Sequence, residues 1–169
     1  MSIRTDLSDA RGEHHAVPAG APLALADRLV VAAGDTVILL ARIAMGLIFV
    51  ESGFGKLTNL AGFAESLASK GVPAASLLAL IGAVVEFTGG ITVILGLATR
   101  YAAVLTAVFV VMATLISHRF WEFEGAAYQM QYIQFGKNLA IMGGFLVLFA
   151  AGGGRFSLDR LLGRGGGPK

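Results

Sequence analysis

The sequence predicts an all-α protein, a four-helix bundle that spans a membrane, and three observations lead there. Charged residues are 14% of the 169-residue chain, against roughly 25% in a soluble domain. Hydrophobic residues are 56% and mean hydropathy is +0.75. The apolar residues are gathered into four stretches close to the ~20 helical residues that cross hydrocarbon. Unpaired backbone groups cannot be left in lipid, so these stretches are read as helices and not as open strands.

Residues 1–34 form a polar tail of mixed charge, with Arg4, Asp6, Asp9, Arg11 and Glu13 around His14 and His15. It lacks an apolar run ahead of a small-residue cleavage site and is not read as a signal peptide. From Pro22 to Ala33 the tail turns apolar except at Asp27 and Arg28, as a short surface helix leading into the first span would. The membrane domain is expected over 35–160, with spans at 36–57, 74–98, 101–118 and 133–152. Only two residues separate the second and third spans, which makes them antiparallel neighbours. Between the first two, Leu60, Phe63 and Leu67 recur at helical spacing and predict a helix in the interface or folded over the bundle mouth. Gly71 and Pro73 stop it. After the fourth span comes a basic amphipathic turn, and 161–169 is a glycine-rich tail.

Orientation follows from the cationic residues. Arg4, Arg11, Arg28, Arg100, Arg155, Arg160, Arg164 and Lys169 fall on one side, and Lys56, Lys70 and Arg119 on the other. Both termini are therefore expected to be cytoplasmic. The net charge of +2 and pI near 9.2 reflect this placement, and nucleic acid is not an expected partner. The absence of cysteine excludes disulfides, thiolate metal sites and redox dithiols carried by this chain. No nucleotide-binding loop, zinc motif or catalytic triad occurs in a usable context, so no metal and no intrinsic cofactor are expected.

An ionisable residue inside a span costs about 2.5–3.5 kcal/mol on insertion scales, and such residues face the bundle interior with a partner. Arg42, Glu51, Glu86 and Lys137 lie inside spans, with Lys56 and His118 at span ends. At about 100° per residue, Gly46, Phe49, Gly53 and Lys56 all fall within about 40° of Arg42. Glycines on a stripe let helices approach closely, so this face is expected to point inward. Glu51 lies on the opposite side. Gly82, Glu86, Gly89 and Gly90 share a face of the second span, and Lys137, Ile141, Gly144 and Leu148 one of the fourth. With depth included, Lys56, His118, Lys137, Glu51 and Glu86 predict a polar cavity in the outer half. Its roof would be residues 58–73 and the aromatic loop holding Phe120, Trp121, Phe123, Tyr128, Tyr132 and Phe135. The same aromatics also fit an ordinary interfacial belt, and the same charges fit structural ion pairs.

The sequence resembles the DoxX family of small four-helix membrane proteins over residues 37–160. The resemblance rests on Arg42 followed by GLIFVESGFGKL, Gly71-Val72-Pro73, Glu86 in EFTGGITVILGLATR, His118 with Phe120-Trp121, KNLAIMGGFL from Lys137, and GGGRFSLD from Gly152. It implies a four-span inner-membrane protein with cytoplasmic termini. Relatives include a subunit of a thiosulfate:quinone oxidoreductase and a member of a membrane-bound complex that handles oxidative stress. Arg42, Lys56, Glu86, His118, Lys137 and Asn138 match positions of the family pattern, whereas Glu51 stands where an uncharged residue is expected.

The first functional reading is the membrane subunit of a quinone-linked oxidoreductase system, with Arg42, Glu51, Lys56, Glu86, His118, Trp121, Lys137 and Asn138 as candidate lining of the quinone or ligand site. His118 and Lys137 would bond the quinone oxygens, Trp121 or Phe135 would cover the ring, and Glu86 would relay protons. Electrons would come from a soluble or membrane oxidoreductase partner. A non-enzymatic scaffold for a soluble oxidoreductase is the first alternative. The other is a small-solute carrier or channel, a homo-oligomer in which Glu51 serves a subunit contact.

Overall fold

A computed structural model describes residues 22–163. The expectations for residues 1–21 and 164–169, the polar tail with its two histidines and most of the glycine-rich tail, lie outside the described residues. Six α-helices follow in order: α1 Pro22–Thr58, α2 Leu60–Ser69, α3 Ala75–Leu95, α4 Thr99–Ser117, α5 Gly125–Ala151 and α6 Leu158–Leu161. A 3-10 turn at Phe120–Glu122 joins α4 to α5. Residues up to Ala33 form one unit and the bundle is built from Gly34 onward. Among the described residues no strand occurs, and four stretches are long and apolar enough to cross a membrane: Val31–Thr58, Ala75–Leu95, Thr99–Glu122 and Gly125–Ala151. The all-α transmembrane bundle is therefore observed.

Small residues set the α1–α3 crossing. A Cβ on Gly90 would sit 2.8 Å from both the Gly46 carbonyl oxygen and the Val50 nitrogen, and one on Gly53 would sit 2.7 Å from the Phe87 Cα. Such backbone contact is how helices associate where lipid removes the hydrophobic drive between them. The predicted inward stripe of α1 is borne out by burial of Arg42, Gly46, Phe49 and Gly53. On α3 the buried face runs Ala79, Ala83, Glu86, Gly90 and Val93. Phe49 meets Phe145 of α5 edge-on, with centroids 5.3 Å apart, and α4 contributes Ala103, Ala107 and Val110 to the same core. Outward-facing Leu80, Ile81 and Val84 of α3 and Leu105, Val108 and Met112 of α4 are exposed, which matches a lipid surround and not water.

The connections differ from expectation in detail. The second span ends at Leu95, where Gly96 takes a left-handed C-cap conformation at φ 65°. A side chain there would be strained and would also meet Ser157 Cβ at 2.6 Å. Leu97 and Ala98 continue the apolar run through this turn, which is why the sequence pattern extended the span past it. The fourth span begins at Gly125, earlier than residue 133, because the aromatic segment with Tyr128 and Tyr132 is the first part of α5. Helix α2 forms as expected, capped by Asn59 Oδ1, which accepts from the Gly62 amide, and it packs on α3.

Candidate functional site

The span charges divide into separate sites. Arg42, 1% exposed, donates to four backbone carbonyls: Val93 at 3.1 Å, Ile94 at 2.8 Å, Phe156 at 2.9 Å, and Gly153. Val93 and Ile94 belong to the last turn of α3, where carbonyls outnumber the backbone donors within reach although Val93 also accepts from the C-cap Gly96 amide, and a guanidinium there complements the helix dipole. The other two lie on the segment between α5 and α6. Asp159 closes the same knot from the far side. Its carboxylate accepts from the Ala98 and Thr99 amides and the Thr99 hydroxyl, each at 2.7 Å, capping α4 across 60 residues of sequence. Asp35 accepts from the Arg155 amide at 2.8 Å, and Arg100 donates to the Phe149 carbonyl at 2.7 Å. Arg42 is thus a tertiary clamp at one end of the bundle.

Lys56 and Glu86 make the second site. They form an ion pair between α1 and α3, Lys56 also donates to Ser52 Oγ at 3.0 Å, and its ammonium lies 5.3 Å from the Phe63 ring centroid on α2. Glu86 is 6% exposed. The ion pair therefore ties α1 to α3, and the cation–π contact brings the predicted roof helix onto it. Although Arg42 and Lys56 share one stripe, 14 residues of helix at 1.5 Å each put them about 21 Å apart, so they cannot line one small cavity.

The third site is the seam between antiparallel α4 and α5. Asn138 donates to Thr114 Oγ1 at 2.9 Å, and Thr114 in turn donates to the Val110 carbonyl at 2.6 Å. Further along this seam His118 Nδ1 and Gln131 Oε1 are 2.9 Å apart. A groove of about 230 Å³ opens beside Asn138 and Thr114, walled by Val110, Val111, Leu115, Leu139, Met142 and Phe135. Phe135 also belongs to the aromatic cluster: its ring lies 5.2 Å from Phe120 and 6.4 Å from Trp121, and Phe120 packs edge-on to Tyr128 and Tyr132 as well. The cluster is thus the rim of the groove. Arg119 pairs with Glu122 at 3.0 Å beside it.

Of the eight candidates, the structure joins Lys56 to Glu86, and sets Asn138, His118 and Trp121 along or near one seam. It does not bring Arg42, Glu51 or Lys137 to either place. Glu51 is exposed on α1 and Lys137 is exposed on α5. Sequence reasoning passed over Asp35, Thr99 and Asp159, whose role depends on a chain reversal, and Thr114 and Gln131, uncharged partners that carry no signal against an apolar background. Ser157, which caps α6 by accepting from the Arg160 amide, had a readable sign in the Ser-Leu-Asp start of that helix.

Comparison with known proteins bears on what this geometry belongs to. A sequence model described as DoxX matches residues 37–119. Inner membrane protein YphA of Escherichia coli is 40% identical over 129 residues, covering 76% of this chain and 92% of that protein. Inner membrane protein YqjF of the same organism is 38% identical over 128 residues, 76% of this chain and 93% of its own length. A protein of Bacillus subtilis named putative oxidoreductase CatD is 36% identical over 77 residues, 46% of this chain and 56% of that protein. No solved structure matches the chain.

Proposed function

The chain belongs to the DoxX family of integral membrane proteins, and from that premise we propose that it is the membrane subunit of a quinone-linked oxidoreductase system in a bacterial inner membrane, with both termini cytoplasmic. The observation that carries this reading is the α4–α5 groove. It is apolar along its walls, has an aromatic rim and holds the amide of Asn138 beside a hydroxyl. A ligand site of mostly apolar lining with few placed polar groups suits a flat ring that bears a carbonyl and arrives through lipid. The inner-membrane relatives support the location, and the Bacillus subtilis relative named putative oxidoreductase supports the redox part of the reading.

The residues fit a quinone ring in specific ways. An amide nitrogen has two hydrogens, and Thr114 takes one; the groove's exposed lining is almost wholly apolar, so the second would meet a ring carbonyl only as the ring parts the seam. Thr114 holds the amide in place because its own hydrogen goes to the Val110 carbonyl. Phe135, backed by Phe120, supplies a flat face. His118, held by Gln131, stands further along the seam, where its imidazole can donate or accept a hydrogen bond. A bound quinone would supply a two-electron, two-proton acceptor for electrons from an oxidoreductase partner. Lys56 and Glu86 bridge α1 and α3 and take no part in the groove.

A specific observation favours the second reading, a scaffold that anchors a soluble oxidoreductase: the Arg42 guanidinium and the Lys56–Glu86 ion pair hold helices together. One experiment separates the two. The protein purified in mild detergent is extracted for quinone and titrated with a short-tailed quinone analogue, beside Asn138→Leu. The quinone reading expects binding that falls at least tenfold in the variant while the fold is retained. Absence of binding by the wild type, with a partner enzyme still captured, establishes the scaffold instead.

A further inference from the structure

The cations of this protein are treated differently at the two ends of the bundle. At the end formed by α2, Ala75 of α3 and the α4–α5 connection, Lys56 pairs with Glu86, Arg119 pairs with Glu122, and Lys70 donates to the Ser66 hydroxyl at 2.7 Å and its carbonyl at 3.0 Å. At the Arg42 end, Arg100, Arg155 and Arg160 are exposed and have no carboxylate within ion-pair distance among the described residues. Two carboxylates of that end are directed at backbone: Asp159 toward the first turn of α4 and Asp35 toward the Arg155 amide. Capping thus holds both carboxylates on backbone amides, out of ion-pair distance of the exposed Arg100, Arg155 and Arg160 guanidinium groups among the described residues.

The same segment also exposes apolar surface. Phe156, Leu161 and Leu162 are 49%, 79% and 55% exposed, and the Arg155 guanidinium lies 5.4 Å over the Phe156 ring. The segment begins where α5 ends at Ala151, and Gly96 accepts a hydrogen bond from the Asp159 amide at 3.0 Å, so it is held at the level of the α3–α4 turn. A short run that joins unpaired Arg to exposed Phe and Leu at the end of a span has the character of an interfacial anchor.

We infer that residues 155–162 form a binding surface for an anionic phospholipid. Arg155 and Arg160 meet the phosphodiester, and Phe156, Leu161 and Leu162 enter the acyl boundary beneath it. A free phosphate or nucleotide would satisfy the guanidinium groups and leave the apolar residues in water, so the lipid is the occupant that uses both. Arg100, which donates to Phe149, keeps outward N–H groups that add to the local potential.

The test uses the full-length protein in dodecyl maltoside, with phosphatidylglycerol, phosphatidylcholine or inorganic phosphate added, read by retained lipid in native mass spectrometry and by the thermal midpoint. Phosphatidylglycerol is expected to bind and to raise the midpoint, phosphatidylcholine and phosphate to do neither. At the strength of about one interfacial cation each, Arg155→Gln with Arg160→Gln is expected to weaken phosphatidylglycerol binding about 30-fold, and Lys70→Gln with Arg119→Gln to leave it within twofold. Equal binding of phosphatidylcholine, displacement by millimolar phosphate, or unchanged affinity in the first double variant overturns the inference. Should that variant fail to fold, wild-type binding that does not weaken between about 50 and about 500 mM salt overturns it equally, since exposed charge is screened over that range.

Discussion

Replacing Arg42 by Gln tests whether the clamp or a ligand site explains this buried charge. The guanidinium reaches four carbonyls, and a Gln side chain, shorter and with a single amide nitrogen, can reach few of them. Val93 keeps a donor, the Gly96 amide at 3.2 Å, so three carbonyls on Ile94, Gly153 and Phe156 lose the partner that the structure gives them. A buried polar group left unpaired costs about 1–3 kcal/mol, and three of them make a loss of about 3–6 kcal/mol once partial hydration at the bundle end is allowed for. The whole stability of a domain is about 5–15 kcal/mol, so the variant should be close to unfolding. Arg42→Lys keeps the charge but offers a compact ammonium in place of a planar fork, and should recover part of the loss. The measurement is reversible denaturation in mixed micelles, with limited proteolysis at residues 152–163 as the local readout. A variant within about 1 kcal/mol of wild type, with that segment still protected, would refute the clamp.

Three further outcomes follow from the packing. Glu86→Gln alone should cost about 2–4 kcal/mol by leaving Lys56 without its carboxylate, whereas adding Lys56→Met should restore much of it; a double-mutant cycle with coupling below about 0.5 kcal/mol would show the ion pair to be idle. Gly90→Leu should destabilise by about 3 kcal/mol, because its Cβ alone meets the Gly46 oxygen at 2.8 Å and Phe49 Cβ at 2.9 Å, while Gly143→Ala, with nothing within 4 Å, should be neutral or stabilise by about 0.5–1 kcal/mol; thermal midpoints in one detergent compare them. Asp159→Ala removes the cap of α4 and should cost about 1–2 kcal/mol, with faster amide exchange confined to the first turn of α4.

Much of the fold is legible because two simple rules govern it: length of apolar helix and angular position around it. The stripe from Arg42 to Lys56 faces inward as its spacing predicts, and the glycines on it meet α3 backbone. Depth is harder to read, because a stripe extends the full length of the span. Arg42 and Lys56 therefore read as one site from angle alone, although the helix separates them by about 21 Å. Partner choice is harder still. The clamp forms because α3 ends at Leu95 and presents orphan carbonyls there, and because Gly153–Phe156 returns to the same place. Neither residue type nor spacing marks which carbonyls will lack donors. The groove was invisible for the same reason, since Thr114 and Asn138 are neutral residues inside apolar runs and only their pairing gives them meaning.

The distribution of these fastenings bears on where a ligand could enter. α1 and α3 are joined by contacting backbones, by the Lys56–Glu86 pair and by the Arg42 clamp; α4 is tied to that end through Thr99 and Asp159. By contrast, α5 buries only Phe145 and Leu148; Arg100 of α4 reaches the Phe149 carbonyl at the Arg42 end, and further along the seam the side-chain links are those of Asn138 and Gln131. Neutral hydrogen bonds contribute about 0.5–1.5 kcal/mol each, far less than an unpaired buried charge would cost to create. Opening the bundle between α1 and α3 would strand charges in lipid, whereas parting α4 from α5 near Phe135 exposes chiefly apolar surface to acyl chains of similar polarity. The groove thus lies where neutral bonds and apolar packing hold α4 to α5 near Phe135, whereas Arg42, Lys56 and Glu86, charges that look functional in the sequence, hold α1 to α3.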